Sequence, residues 1–120
     1  MKFVATILMT ALLATSALAN PLTITNSSKN VLSVRINSQC SRDFGIIKVF
    51  TSSTVPDNVL ARLCGANAGH CIAEMYSSTS CQDRFVGYFY FNAFNGTSGE
   101  GSVVAPYKMT IRPFEVVISQ

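Results

Sequence analysis

FVGYFYF, residues 85–91, places an aromatic or β-branched side chain at every position but Gly87. Such side chains fit a pleated, half-buried surface and crowd the preceding turn of a helix, so this stretch predicts a strand. Successive strand residues point to opposite faces. Alternation therefore predicts Phe85, Phe89 and Phe91 on one face, toward a core, and Val86, Tyr88 and Tyr90 on the other. Gly87 is the position where a bulge would break that count. Around this strand, residues 72–76, 31–36 and 21–25 on one side, and 102–105, 108–111 and 114–119 on the other, are short β-branched or alternating runs. Residues 45–50 (GIIKVF) predict one more strand. The segments SSTS (77–80) and NGTSGEG (95–101), with Pro106 and Pro113, supply the turns between them.

One segment departs from this pattern. Thr54-x-x-Asp57 with Pro56 is a helix-start signal, Val59, Leu60, Leu63 and Cys64 share a helical stripe, and Gly65 suits a terminator. The expectation is a mainly β domain, an antiparallel β-sandwich or small barrel with one short helix over residues 56–64.

The amino terminus predicts export. Lys2 precedes the uncharged apolar run 3–13, and Ala17-Leu18-Ala19 carries the small-x-small pattern of signal peptidase sites. Residues 1–19 read as a signal peptide and 20–120 as a single domain. The apolar run falls short of the roughly 20 residues a bilayer span needs, and no later stretch is apolar and long enough. The chain carries four cysteines, Cys40, Cys64, Cys71 and Cys81. An even count in a small exported domain predicts two disulfides. A bridge needs Cα atoms within about 7 Å. Cys71 and Cys81 flank a five-residue strand that extends about 17 Å. Cys64 and Cys71 enclose a short glycine-containing loop, whereas Cys40 and Cys81 each follow the far end of a strand. The expected pairs are Cys64–Cys71 and Cys40–Cys81.

The spacing C-x6-C-x9-C in CGANAGHCIAEMYSSTSC (64–81), with TITN (23–26) and RINSQC (35–40), resembles small exported proteins of Legionella-like Gram-negative bacteria. The resemblance implies an exported, disulfide-bonded domain in the periplasm or the medium, and it carries over no catalytic residue.

Charge narrows the function further. Nine Lys and Arg oppose six Asp and Glu. The basic residues occur singly, so neither a nucleic-acid footprint nor a polybasic membrane anchor is expected. No C-x-x-C occurs, and the single histidine, His70, adjoins Cys71, a poor arrangement for one metal ion; no cofactor motif is present. A hydrolase would have to use His70, yet no G-x-S-x-G selects a serine. Glu74 and Asp83 are the nearest acid pair with structure between them. Asn26-Ser27-Ser28 and Asn95-Gly96-Thr97 match the glycosylation pattern and read as loops. The expected function is therefore non-enzymatic binding of a protein or glycan, with Tyr88 and Tyr90 as contact stripe. A hydrolase using His70 and an envelope-active toxin using strand 85–91 are the alternatives.

Overall fold

The computed structural model describes residues 20–120; the expected signal peptide, residues 1–19, lies outside them. Ten strands run β1 (Leu22–Ser27), β2 (Leu32–Ile36), β3 (Gln39–Cys40), β4 (Ile46–Ile47), β5 (Thr51–Val55), β6 (Cys71–Tyr76), β7 (Phe85–Asn92), β8 (Gly96–Val103), β9 (Lys108–Arg112) and β10 (Glu115–Ser119). Helix α1 (Asp57–Cys64) and a 3-10 turn (Gly65–Asn67) join β5 to β6. Two sheets form, and neither closes into a barrel. One has four strands in the order β5-β1-β10-β9; the other follows β3-β2-β6-β7-β8, with β4 also on β2. The larger sheet is antiparallel throughout, whereas β1 and β10 of the smaller pair in parallel.

The core lies where the two inner faces meet. Leu22 and Ile24 of β1, Val116 and Ile118 of β10, Val34 and Ile36 of β2, and Ala73 and Met75 of β6 are all buried there. Phe89 and Phe91 from β7 join them, their rings 5.9 Å apart. The period-two pattern thus buries one face of each strand, and α1 adds Val59, Leu60 and Leu63. Fully burying side chains of this size contributes about 1.5–3 kcal/mol each.

Four local expectations are corrected. First, Phe85 is 42 % exposed while Val86 is fully buried. The β6–β7 ladder shifts register here: Met75 faces Gly87 and Tyr76 faces Phe85, so Val86 is the extra residue of a bulge and turns inward. Gly87 leaves no room for a side chain, because a Cβ would overlap the Ser102 carbonyl and Val103. Second, GIIKVF does not run on as one strand. β4 is two residues long, and the chain turns at Lys48 before β5 begins. Third, α1 starts at Asp57 behind Pro56 with no side-chain cap. Thr54 belongs to β5 instead, its hydroxyl 2.9 Å from that of Thr23. Fourth, most of NGTSGEG is strand β8 rather than a turn, and that strand ends at Val103.

Asn26 is the fifth difference. It sits in β1, not in a loop, and is fully buried, so the folded domain offers no acceptor there. Its amide nitrogen donates to the carbonyls of Asn30, Ile47 and Lys48 at 2.8, 3.0 and 3.3 Å. Its amide oxygen accepts from the backbone N–H and hydroxyl of Ser28 at 2.9 and 2.6 Å. A buried amide left unpaired would be costly, and this one ties the β1–β2 loop to the β4–β5 turn. Asn95, in the β7–β8 turn, is exposed.

Both disulfides form, Cys40–Cys81 and Cys64–Cys71, with Cα separations of 6.0 and 5.7 Å. The first clips the β6–β7 loop over the outer side of β2, where the Cys81 N–H donates to the buried Ser33 hydroxyl at 2.9 Å. The second closes the segment between α1 and β6.

Candidate functional site

The outer face of the larger sheet collects the side chains that alternate away from the core. Its register sets Arg35 beside Glu74, Glu74 beside Tyr88, and Tyr88 beside Ser102. One step further along, Ile72 faces Tyr90. His70 immediately precedes β6, and its ring stacks on Tyr90 with centroids 4.2 Å and planes 11° apart. Tyr88 meets Tyr90 edge-on, at 5.8 Å and 78°. The tyrosines are half-buried and His70 is exposed. Two rings of β7 and one from the residue before β6 therefore make one continuous aromatic surface. Offset-stacked and edge-to-face pairs of this kind are favoured by the ring quadrupoles.

A polar cluster borders the rings. Arg35 donates from Nε to Glu74 Oε1 at 3.1 Å and from a terminal nitrogen to the Tyr76 hydroxyl at 2.8 Å. Its guanidinium carbon lies 5.3 Å from the Tyr76 ring centroid. The hydrogen bond to Glu74 holds the Arg35 guanidinium above its ordinary pKa, against a smaller opposing effect of burial. An ion pair this exposed adds little stability, but it fixes the orientation of both side chains at the edge of the aromatic surface.

Among the described residues, His70 makes no ion pair with a carboxylate. Glu74 is engaged by Arg35, and Asp83 instead lines an open recess of about 480 Å³ with Val31, Ser77, Ser78, Thr79 and Arg84. A second recess, about 680 Å³, lies against the Cys40–Cys81 bridge and is lined by Arg42, Ile46, Thr79, Ser80 and Gln82 besides Cys40. Neither recess brings His70 to a nucleophile. Among the described residues no three His, Cys, Asp or Glu side chains converge as metal ligands would. No helix among them is long and apolar enough to cross a membrane.

The chain is similar in fold to NttC. That protein is a type II secretion system substrate of Legionella pneumophila, known from its crystal structure. The match has a TM-score of 0.64 and 17% identity, and it covers 83% of this chain and 96% of NttC. At this identity the likeness is one of fold. The sequence matches no protein-family model and no curated protein.

Tyr88 and Tyr90 were expected on one outward stripe, and they share the outer sheet face. The participation of His70 was not expected, because it depends on register. Only when Ile72 is opposite Tyr90 does the residue two positions earlier come level with that ring.

Proposed function

We propose that this chain is an exported β domain that acts by binding a protein or glycan partner, with no chemistry of its own. Tyr88, Tyr90 and His70 form the contact surface. The aromatic surface on the outer face of the larger sheet carries this reading, since a rigid strand presents the rings beside the oriented Arg35–Glu74 pair. Aromatic side chains lose little rotamer entropy on binding and dominate the energetics of many interfaces. The stacked rings suit a sugar face or an extended peptide. Tyr88→Ala/Tyr90→Ala is expected to fold cooperatively with a lowered melting transition, since both rings are half-buried and packed on one another. Affinity for glycan-array ligands, or for a partner isolated from envelope or host-cell extract, should fall at least about tenfold. Undiminished affinity in the double variant would overturn the assignment.

In the same reading the chain is directed by its signal peptide to the periplasm or the medium, and its bridges form on the way. The two disulfides and the fold shared with a type II secretion substrate support this route. The exported form is expected to begin at Asn20, as intact-mass measurement would read. A form retaining Lys2, or one beginning beyond residue 25, would contradict it.

A further inference from the structure

A different surface, at one end of the sandwich, has features that folding alone does not explain. Four connections meet there: residues 28–31 between β1 and β2, 48–50 between β4 and β5, 77–84 between β6 and β7, and 104–107 between β8 and β9. Asn26 reaches the carbonyls of both Asn30 and Lys48, and Asn30 donates to the Tyr107 hydroxyl at 2.9 Å, which links three of the four; the Val104 N–H donates to the Val86 carbonyl at the start of β7, at 2.8 Å.

The tip is the turn Val49-Phe50. The backbone N–H and hydroxyl of Thr51 both donate to the Lys48 carbonyl, at 3.2 and 2.7 Å, and close this turn. Phe50 is held there at φ +56° with 70 % of its surface exposed. A bulky side chain in the left-handed region is strained, and an exposed phenyl ring gains nothing from the core. Glycine or asparagine would form the same turn without either cost. Strain kept together with exposure points to a role outside the fold. Val49, Phe85 and Val104, exposed by 40, 42 and 44 %, belong to the same end of the molecule.

The charge there is one-sided. Lys29 and Lys48 lie in these connections, and Lys108 follows directly, paired in register with Ser119 beside Ser27. Arg84 adds a fourth cation. Asp83 is the side-chain carboxylate in these connections, and among the described residues none of the four cations takes part in an ion pair. The sequence hides this grouping because the four basic residues are spread over about eighty positions.

We propose that this end of the domain docks on an anionic lipid surface. Val49 and Phe50 enter the interfacial layer, and Lys29, Lys48 and Lys108 meet the headgroups. Two observations favour lipid over protein. Val49 and Phe50 are exposed at a turn and line neither recess, and three of the four cations are lysines, which protein interfaces disfavour and anionic headgroups attract. The inference is independent of the aromatic surface proposed above, which lies on a sheet face and not among these connections.

The test is cosedimentation of the disulfide-bonded protein with phosphatidylcholine vesicles, with and without phosphatidylglycerol. Binding is expected to the anionic vesicles only, and to weaken as salt screens the lysines. Each lysine near the surface contributes roughly fivefold, so Lys29→Gln/Lys48→Gln/Lys108→Gln should reduce partitioning by roughly a hundredfold. Phe50→Gly separates a docking role from a structural one, since glycine accepts the same backbone angle. It should fold at least as stably as the parent and yet partition about tenfold less. Tyr88→Ala/Tyr90→Ala should partition like the parent, so failure here and failure of the aromatic surface are distinguishable. Equal binding to both vesicle types, no binding to either, or parental partitioning of Phe50→Gly would overturn the proposal. A complete absence of vesicle binding would instead favour a protein partner for this end.

Discussion

Phe89→Ala is expected to lower the unfolding free energy by about 3–5 kcal/mol, a large share of what a domain of this size possesses. Phe89 is fully buried in β7, an interior strand of the larger sheet flanked by β6 and β8 on its edges and by Phe91 in the core. Removing its ring deletes the transfer free energy and leaves a cavity. Ladder hydrogen bonds on both sides hold the strand in place, so the site has little freedom to collapse. Neighbouring positions sharpen the test. Tyr88→Ala, on the opposite face, should cost clearly less. Val86→Ala, though it removes a smaller side chain, should cost about 2 kcal/mol, while Phe85→Ala should cost about 1 kcal/mol or less. Phe85 retains only an edge contact with Tyr76, at 5.6 Å, and is otherwise partly in water. Denaturant melts with both bridges intact would rank the four variants. If Phe85→Ala proved costlier than Val86→Ala, the bulge between Tyr76 and Met75 would be misplaced.

That inversion marks where sequence reading reaches its limit in this fold. Segments such as LTITN and EVVIS announce themselves because one face is apolar and the other is not, and the core of both sheets follows from them. The helix was equally plain in the stripe from Val59 to Cys64, although its start depends on Pro56 and not on the apparent cap at Thr54. Edge strands carry no such contrast. β5 reads TSSTV and β8 reads GTSGEGSV, yet both complete sheets. β5 is held on its outer side by hydroxyl pairs, Thr23 with Thr54 and Thr25 with Ser52. β8 needs small residues, since a Cβ at Gly101 would crowd the Tyr88 carbonyl and Phe89. Polarity and glycine here record what lies across the sheet, and a single segment does not reveal its partner.

The two surfaces proposed for binding were hidden for the same reason. Tyr88 and Tyr90 could be placed on one face by counting, but His70 joins them only through the β6–β7 register. The lysines at the loop end come together only through the topology that stacks four connections. Asn26 is a plainer case. As a residue in a turn-like NSS triplet it suggested a loop, whereas its amide replaces backbone pairing deep between two connections.

Loss of the Cys40–Cys81 bridge is the other large effect expected. The bridge closes a 41-residue separation, against 7 for Cys64–Cys71. In the chain-entropy view, Cys40→Ala/Cys81→Ala should cost about 4 kcal/mol, and the entropic part for Cys64→Ala/Cys71→Ala about 2.4 kcal/mol. Burial modifies this ordering. Cys64 and Cys71 are both buried, so their removal also empties core volume and brings the two totals closer. Accessibility then separates the bridges where stability alone would not. Cys40 is exposed, whereas neither partner of the other pair is. An attacking thiolate needs access to one sulfur, so mild reductant should open Cys40–Cys81 first under native conditions. The consequence is local before it is global. The β6–β7 loop loses its covalent tether over β2, and the hydrogen bonds of the Ser33 hydroxyl to the Cys81 N–H and the Ser78 hydroxyl are left to hold it. Mass spectrometry after timed alkylation would identify the first thiols released. Cys64 and Cys71 appearing first, or a stability loss below about 1 kcal/mol in the Cys40/Cys81 variant, would show that this loop is held by packing and the Ser33 hydrogen bonds rather than by its bridge.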